Sequence, residues 1–234
     1  MAPASAGIGR LPRLPAEGLI LIATVVLVAF YYLVRADAIA VVRDGIWHPM
    51  TSEPRSALVH FGWSALLLGG LPVLAAQLGC GIRLADLGLG FGKWRAGLAI
   101  LVGGLPAAIL AGKIGAGSLA VRAVYPLDPA LDTSGFLEHA AAQLAYFGSW
   151  EVLFRGVLLF GLAPKLGSGA ANILQTALSV LAHFGRPLEE TLAAIPAGLV
   201  FGAVGLRLRS IWWIAILHWV EGVALNYFIL TSGP

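Results

Sequence analysis

Charge is what this chain has least of. Only 12% of its 234 residues are Asp, Glu, Lys or Arg, where a soluble domain carries about 25%. That scarcity excludes an ordinary water-soluble globule, because 59% of the residues are hydrophobic and one core cannot hide them all. Cysteine is nearly absent too. Cys80 stands alone, which excludes an intrachain disulfide, and a single thiol cannot build a zinc site; it reads as a small apolar filler near a helix end. There is no basic stripe interleaved with aromatics, so nucleic acid is excluded as a partner. Period-two alternation is missing, which argues against a transmembrane barrel, and no internal repeat is visible.

What is present is long apolar runs. They cover 18–34, 57–78, 96–111, 136–163, 169–183, 191–206 and 211–230. A helix needs about 20 apolar residues to cross the hydrocarbon, and backbone groups without water partners leave helices as the economical choice. The expectation is an all-α, polytopic transmembrane bundle of about seven helices, or eight if the fourth run divides. That run is too long for one straight crossing, so tilt or a break near Gly156 is expected. Membrane lipid is then the main solvent of the surface.

The organisation is one membrane domain over 18–234, preceded by a small, Pro-containing basic tail at 1–17. Polar loops are expected at 35–56 and 113–135. The Gly-rich connector "GIRLADLGLGFGKWRAG" (81–97) has no preceding strand and no Walker lysine, so it reads as a turn rather than a phosphate loop. The first run is longer than a signal-peptide core, and Arg35 intrudes after it, so it is read as a retained helix despite the Ala-x-Ala in "ADAIA" (36–40). With the N-terminus inside, the inner segments hold Arg10, Arg13, Arg83, Lys93, Arg95, Lys165, Arg207 and Arg209, and the outer ones hold Arg35, Arg43, Arg55, Lys113, Arg122 and Arg186. The excess favours a cytoplasmic N-terminus. Richness in Ala, Gly, Leu and Arg suggests a GC-rich bacterium, hence its cytoplasmic (inner) membrane.

A few ionisable groups interrupt the apolar runs: Glu151 with Arg155, His183, and His218 with Glu221. A charge at mid-bilayer costs about 2.5–3.5 kcal/mol even on lenient scales, so such groups face the bundle interior, find partners and mark function. Glu151 and Arg155, four apart, share a helix face, and taken alone they read as a self-neutralised structural pair. His60 and His139 have no polar company at helical spacing and are read as structural. Jointly, however, a carboxylate, a cation and two imidazoles supply what peptide hydrolysis needs: a base for water and donors for an oxyanion.

Three stretches carry a family resemblance: "WEVLFRG" (150–156), "SVLAH" (179–183) and "HWVEG" (218–222). In order and spacing they resemble the motifs Glu-Glu-x-x-x-Arg, Phe-x-x-x-His and His-x-x-x-Asn/Asp of the CAAX-protease and bacteriocin-processing (Abi) family, which are glutamic-type intramembrane endopeptidases. The region resembling the family is 136–230. The resemblance implies that the first Glu and the second-motif His activate water, that the third-motif His and amide hold the oxyanion, and that the second Glu and the Arg support them. Carried over, this chain keeps Glu151, Arg155, His183 and His218. It departs at Trp150 (first Glu), Ser179 (Phe) and Gly222 (amide).

The losses are not minor: one oxyanion donor is worth about 2.7–4 kcal/mol, and Trp150 is bulky enough to fill the water site. Three compensations are open. Glu221 shares a face with His218, Asn226 lies two turns after it, and a rotated fourth helix would bring Glu151 to His183. The resemblance therefore implies an endopeptidase acting on a protein or peptide with an apolar segment, without cofactor or metal. A catalytically degenerate homologue, serving as a binding, regulatory or immunity protein, is the alternative. Glu151, His183 and His218 are also suitable zinc ligands if they converge, and a transporter would need inverted repeats that are not evident.

Overall fold

The computed structural model describes residues 15, 17–34, 40–43, 46–49, 56–128 and 131–232. Most of the tail expected at 1–17, the "ADAIA" stretch before Ala40 and much of the 35–56 loop lie outside them. The helices are α1 (Gly18–Val34), α2 (Ala57–Cys80), α3 (Trp94–Gly115), the single turn α4 (Leu119–Arg122), α5 (Phe136–Leu166), α6 (Ser168–Ala182), α7 (Leu188–Leu208) and α8 (Trp212–Thr231). Strands β1 (Ala40–Arg43) and β2 (Ile46–Pro49) pair antiparallel, Val42 opposite Trp47, in a connection that reads as plain loop. The hairpin signal is an Asp-Gly pair at 44–45 between short β-forming runs.

Each of the seven apolar runs is a helix, and the protein is an all-α polytopic bundle. Five helices are long and apolar enough to cross a membrane: α2, α3, α5, α7 and α8, with α1 a shorter apolar helix. The 15-residue α6 also reverses the chain. α3 and α8 run parallel, because Gly97 faces Trp213, Gly104 faces Leu217 and Gly112 faces Leu225. Parallel neighbours separated by α5, α6 and α7 require all three to turn the chain around. α6 and α7 are accordingly antiparallel, with Thr176 against Gly198 and Asn172 against Gly202. The α3–α8 approach is as close as helix backbones allow: a Cβ at Gly112 would lie 2.5 Å from the Glu221 carbonyl oxygen. Small residues at helix contacts allow this in a membrane, where dispersion and not the hydrophobic effect joins helices.

α5 is the buried axis. Its most apolar stretch is 72% buried, against 11% for the peripheral α3. Leu153, Phe154, Val157, Leu158 and Leu159 form the centre of the core with Leu19, Leu68 and Leu87 from its neighbours. Instead of breaking near Gly156, α5 stays continuous and widens: Val152–Phe160 is π-helical, a register change that recurs at functional sites. Gly156 lets the connector come close, since a Cβ there would sit 3.3 Å from the Leu87 carbonyl oxygen. Large apolar side chains stand exposed on the outer faces, among them Leu21 and Val25 of α1, Val102 and Leu110 of α3, and Leu192 and Val200 of α7. Lipid is the solvent that suits them.

The Gly-rich connector is a structural turn, as its residues imply. Leu84–Leu87 is a 3₁₀ turn ending at Gly88, whose φ is +69°. It is tied to the α7–α8 corner: Ile211 N–H donates to the Gly88 carbonyl (3.0 Å) and Lys93 N–H to the Leu208 carbonyl (2.8 Å). The indoles of Trp212 and Trp213 donate to the Leu89 and Phe91 carbonyls at 2.7 and 2.9 Å. These bonds fix the depth of α8 beside α5, and with it the depth of His218.

Candidate active site

Glu151 is completely buried and Arg155 is 2% exposed. Arg155 Nη1 donates to Glu151 Oε1 at 3.1 Å, as their spacing implies. The same oxygen lies 2.8 Å from His218 Nδ1. A carboxylate only accepts, so Nδ1 carries the proton and Nε2 is left at the opposite side of the ring. α5 and α8 are antiparallel here, which puts 151 level with 218. Glu151 thus serves His218; its hydrogen bonds do not reach His183, and the rotation that would pair those two is not the one adopted. The guanidinium carbon of Arg155 also lies 5.6 Å from the centre of the Phe201 ring, a cation–π placement. The His218 ring is braced by Phe147 at 4.5 Å and Phe201 at 5.8 Å.

His183 follows the last turn of α6. Its Nδ1 donates to the Ser179 carbonyl at 2.7 Å, because a carbonyl can only accept. This bond uses the backbone, so Ser in place of Phe at 179 leaves the imidazole held. In the neutral ring Nε2 is then the acceptor.

Both imidazoles line one cavity of about 390 Å³, together with Arg155, Ser179, Glu221 and Gly222. That is within the usual range for ligand sites. Glu151 does not line it; it sits behind His218. Trp150 is one wall: it is 4% exposed and its ring stands edge-on to His183 at 5.1 Å. It narrows the space beside His183, and both side chains line the cavity.

The Gly222 departure has a steric counterpart. A Cβ at 222 would run into the Phe147 ring, and it would lie 3.3 Å from Gln143 Nε2. An aromatic ring and an amide from α5 therefore occupy the space of a side chain at 222. Gln143 is buried and lines the cavity. Its Oε1 is approached by Asn226 Nδ2 at 3.5 Å, and Asn226 also meets His139 Nε2 at 3.2 Å. Asn226 is thus behind the cavity wall, holding Gln143. Gly222→Asn, which restores the motif letter, is expected to displace Phe147 and destabilise the protein by about 1–3 kcal/mol, read as a lowered melting temperature in detergent.

Two residues with no role in the sequence reading also belong to the site. Glu190, in the first turn of α7, lines the cavity, with Oε1 4.0 Å from His183 Nε2. The Tyr125 hydroxyl donates to that Oε1 at 2.9 Å. Burial pushes the Tyr125 phenol well above its ordinary range, against the opposing pull of Arg186, so it remains a donor. In sequence, Glu189–Glu190 look like loop acids or complements to a helix dipole; only the return of the chain through Gly185 and Pro187 brings Glu190 back to His183. Among the described residues no group of three His, Cys, Asp or Glu is placed to hold a metal ion. Of the three zinc ligands considered, Glu151 is engaged with His218 and Arg155, while His183 faces Glu190.

Fold and site together define a polytopic helical membrane protein with a buried Glu–Arg–His centre beneath a cavity. Residues 144–223, the segment that holds Glu151, Arg155, His183 and His218, match the family model described as Type II CAAX prenyl endopeptidase Rce1-like, and this match supports kinship with the CAAX-protease-type family. No curated protein and no solved structure matches it.

Proposed function

We propose that the protein is an intramembrane endopeptidase that hydrolyses a membrane-proximal or C-terminal peptide bond of a protein or peptide substrate. One observation carries this reading. Each imidazole is anchored through Nδ1, to Ser179 and to Glu151, so each turns Nε2 toward a shared cavity. The anchors differ in charge, and that difference assigns the roles. His183, held by a neutral carbonyl, is the base: a water attacks the substrate carbonyl carbon and gives one proton to His183 Nε2. His218, whose Nδ1 is taken by the Glu151 carboxylate, is the donor: its Nε2 addresses the oxyanion, with the Gln143 amide as a second donor. When the intermediate collapses, the C–N bond breaks and His183 returns its proton to the leaving amine. Glu151 and Arg155 position His218. Glu221, on the cavity wall, contributes charge beside it.

The apolar lining and the lipid-facing exterior suit an apolar substrate segment entering from the bilayer. The basic-residue excess favours a cytoplasmic N-terminus, in a bacterial inner membrane. A binding or regulatory homologue without catalysis is the second reading, and the edge of Trp150 against His183 is what favours it. The two part in one experiment. Purified protein in phospholipid vesicles is incubated with a prenylated C-terminal peptide and with a panel of apolar transmembrane peptides, and products are read by mass spectrometry. New termini from the wild type and none from the His183→Ala/His218→Ala variant are expected. Equal inertness of the two would leave the binding protein.

A further inference from the structure

Four features around Glu190 are unusual for a residue serving only to start a helix. It lines the cavity from the first turn of α7. Its Oε2 is buried and has no hydrogen-bond partner, a cost of about 1–3 kcal/mol unless a ligand or water relieves it. Its Oε1 is held in place by Tyr125. And Oε1 stands 4.0 Å from the acceptor nitrogen of His183, too far for a direct hydrogen bond but within the reach of one bridging water. Glu189, its chain neighbour, also lines the cavity, but its carboxylate accepts from the Ser118 hydroxyl at 2.6 Å and makes no contact with His183. A helix dipole would be served as well by Glu189 alone.

We propose that Glu190 is a catalytic residue of this site: with His183 it brackets the attacking water, supplying from α7 the carboxylate that position 150 lacks. The inference rests on the hydrolytic reading given above. The water donates one hydrogen to His183 Nε2 and the other to Glu190 Oε1, whose second lone pair is free beside the Tyr125 bond, so its own lone pair points at the substrate carbonyl. On attack the C–O bond forms, the first proton passes to His183, and the carbonyl electron pair moves to its oxygen. Glu190 stays ionised and stabilises the imidazolium it faces. The second proton remains on the new hydroxyl until the C–N bond breaks, and is then released as the product carboxylic acid ionises. Tyr125 is a positioning residue that holds Oε1 in place for the water.

The test uses the full chain in vesicles with a peptide that the wild type cleaves. Glu190→Gln keeps shape and can keep the Tyr125 bond; kcat should fall by about 100-fold or more with KM within about threefold. Glu190→Asp should retain more activity than Gln, because it keeps the charge. Glu189→Gln should change kcat by less than about threefold. Wild-type turnover by folded Glu190→Gln overturns this inference and leaves the hydrolase reading intact; an inert wild type sinks both. If Glu190→Gln fails to fold, Glu190→Asp decides: a fall of about tenfold or more supports the assignment, and unchanged kcat overturns it.

Discussion

Glu151→Leu lowers the stability of the protein by about 3–5 kcal/mol, which for a chain of this size is a fall of about 6–20 °C in melting temperature, and adding Arg155→Met restores most of it. The loss does not measure the strength of the ion pair. It is the cost of leaving a guanidinium at 2% exposure without its counter-charge. Phe201 offers only the cation–π contact, worth about 0.5–2 kcal/mol. Taking both charges away removes the need for compensation, and two apolar side chains of similar volume suit a helix 72% buried in this stretch. Thermal unfolding in detergent, followed by tryptophan fluorescence, reads all three proteins. If the double variant melts as low as Glu151→Leu, mutual charge compensation is not what holds this region.

The recovery has a functional corollary. A chain that could fill the α5 axis with leucine and methionine at little cost does not retain the Glu–Arg pair for stability. The pair has its value through His218: Glu151 Oε1 is the acceptor for Nδ1, and Arg155 Nη1 holds that oxygen in place. In the stable double variant His218 loses its anchor, so peptide cleavage is lost while the fold survives.

The bundle was legible because hydropathy alone demands it: seven runs, each too apolar for water, became seven helices. What composition did not reveal was geometry within them. The fourth run stays one helix, with a π-helical stretch, Val152–Phe160, where tilt or a break was expected near Gly156. The 15-residue α6 is short for a crossing on paper, yet the parallel pairing of α3 and α8 shows that it reverses the chain.

The site was legible where it depends on local spacing and opaque where it depends on register between helices. Glu151–Arg155 is an i,i+4 contact, and the sequence contains everything needed to see it. Which imidazole meets Glu151 is a different matter, set by the depth at which the connector at 81–97 pins α8. That depth puts His218, not His183, opposite the carboxylate. Gln143 and Glu190 were hidden for a related reason. One resembles a helix amide and the other a loop acid until tertiary structure places them beside Gly222 and His183. Both lie where a motif side chain is missing, so a departure from a motif in one helix is best sought as a compensation in the helices packed against it.

On the proposed mechanism the imidazoles should fail unequally and without adding. His183→Ala removes the acceptor for the water proton, a loss in kcat of about 10²–10⁴. His218→Ala removes one oxyanion donor while leaving the Gln143 amide, a loss of about 10²–10³. Because proton removal and oxyanion stabilisation occur in the same transition state, the double variant falls far short of the product of the two losses; groups that act as a unit are non-additive. Single-turnover cleavage of a vesicle-bound peptide separates these effects from binding: KM should move little, since neither nitrogen is needed to hold the uncharged substrate. Strict multiplication of the two losses would mean that the histidines act in different steps. A large rise in KM with kcat unchanged would make them binding residues, and the cavity a receptor for an apolar segment.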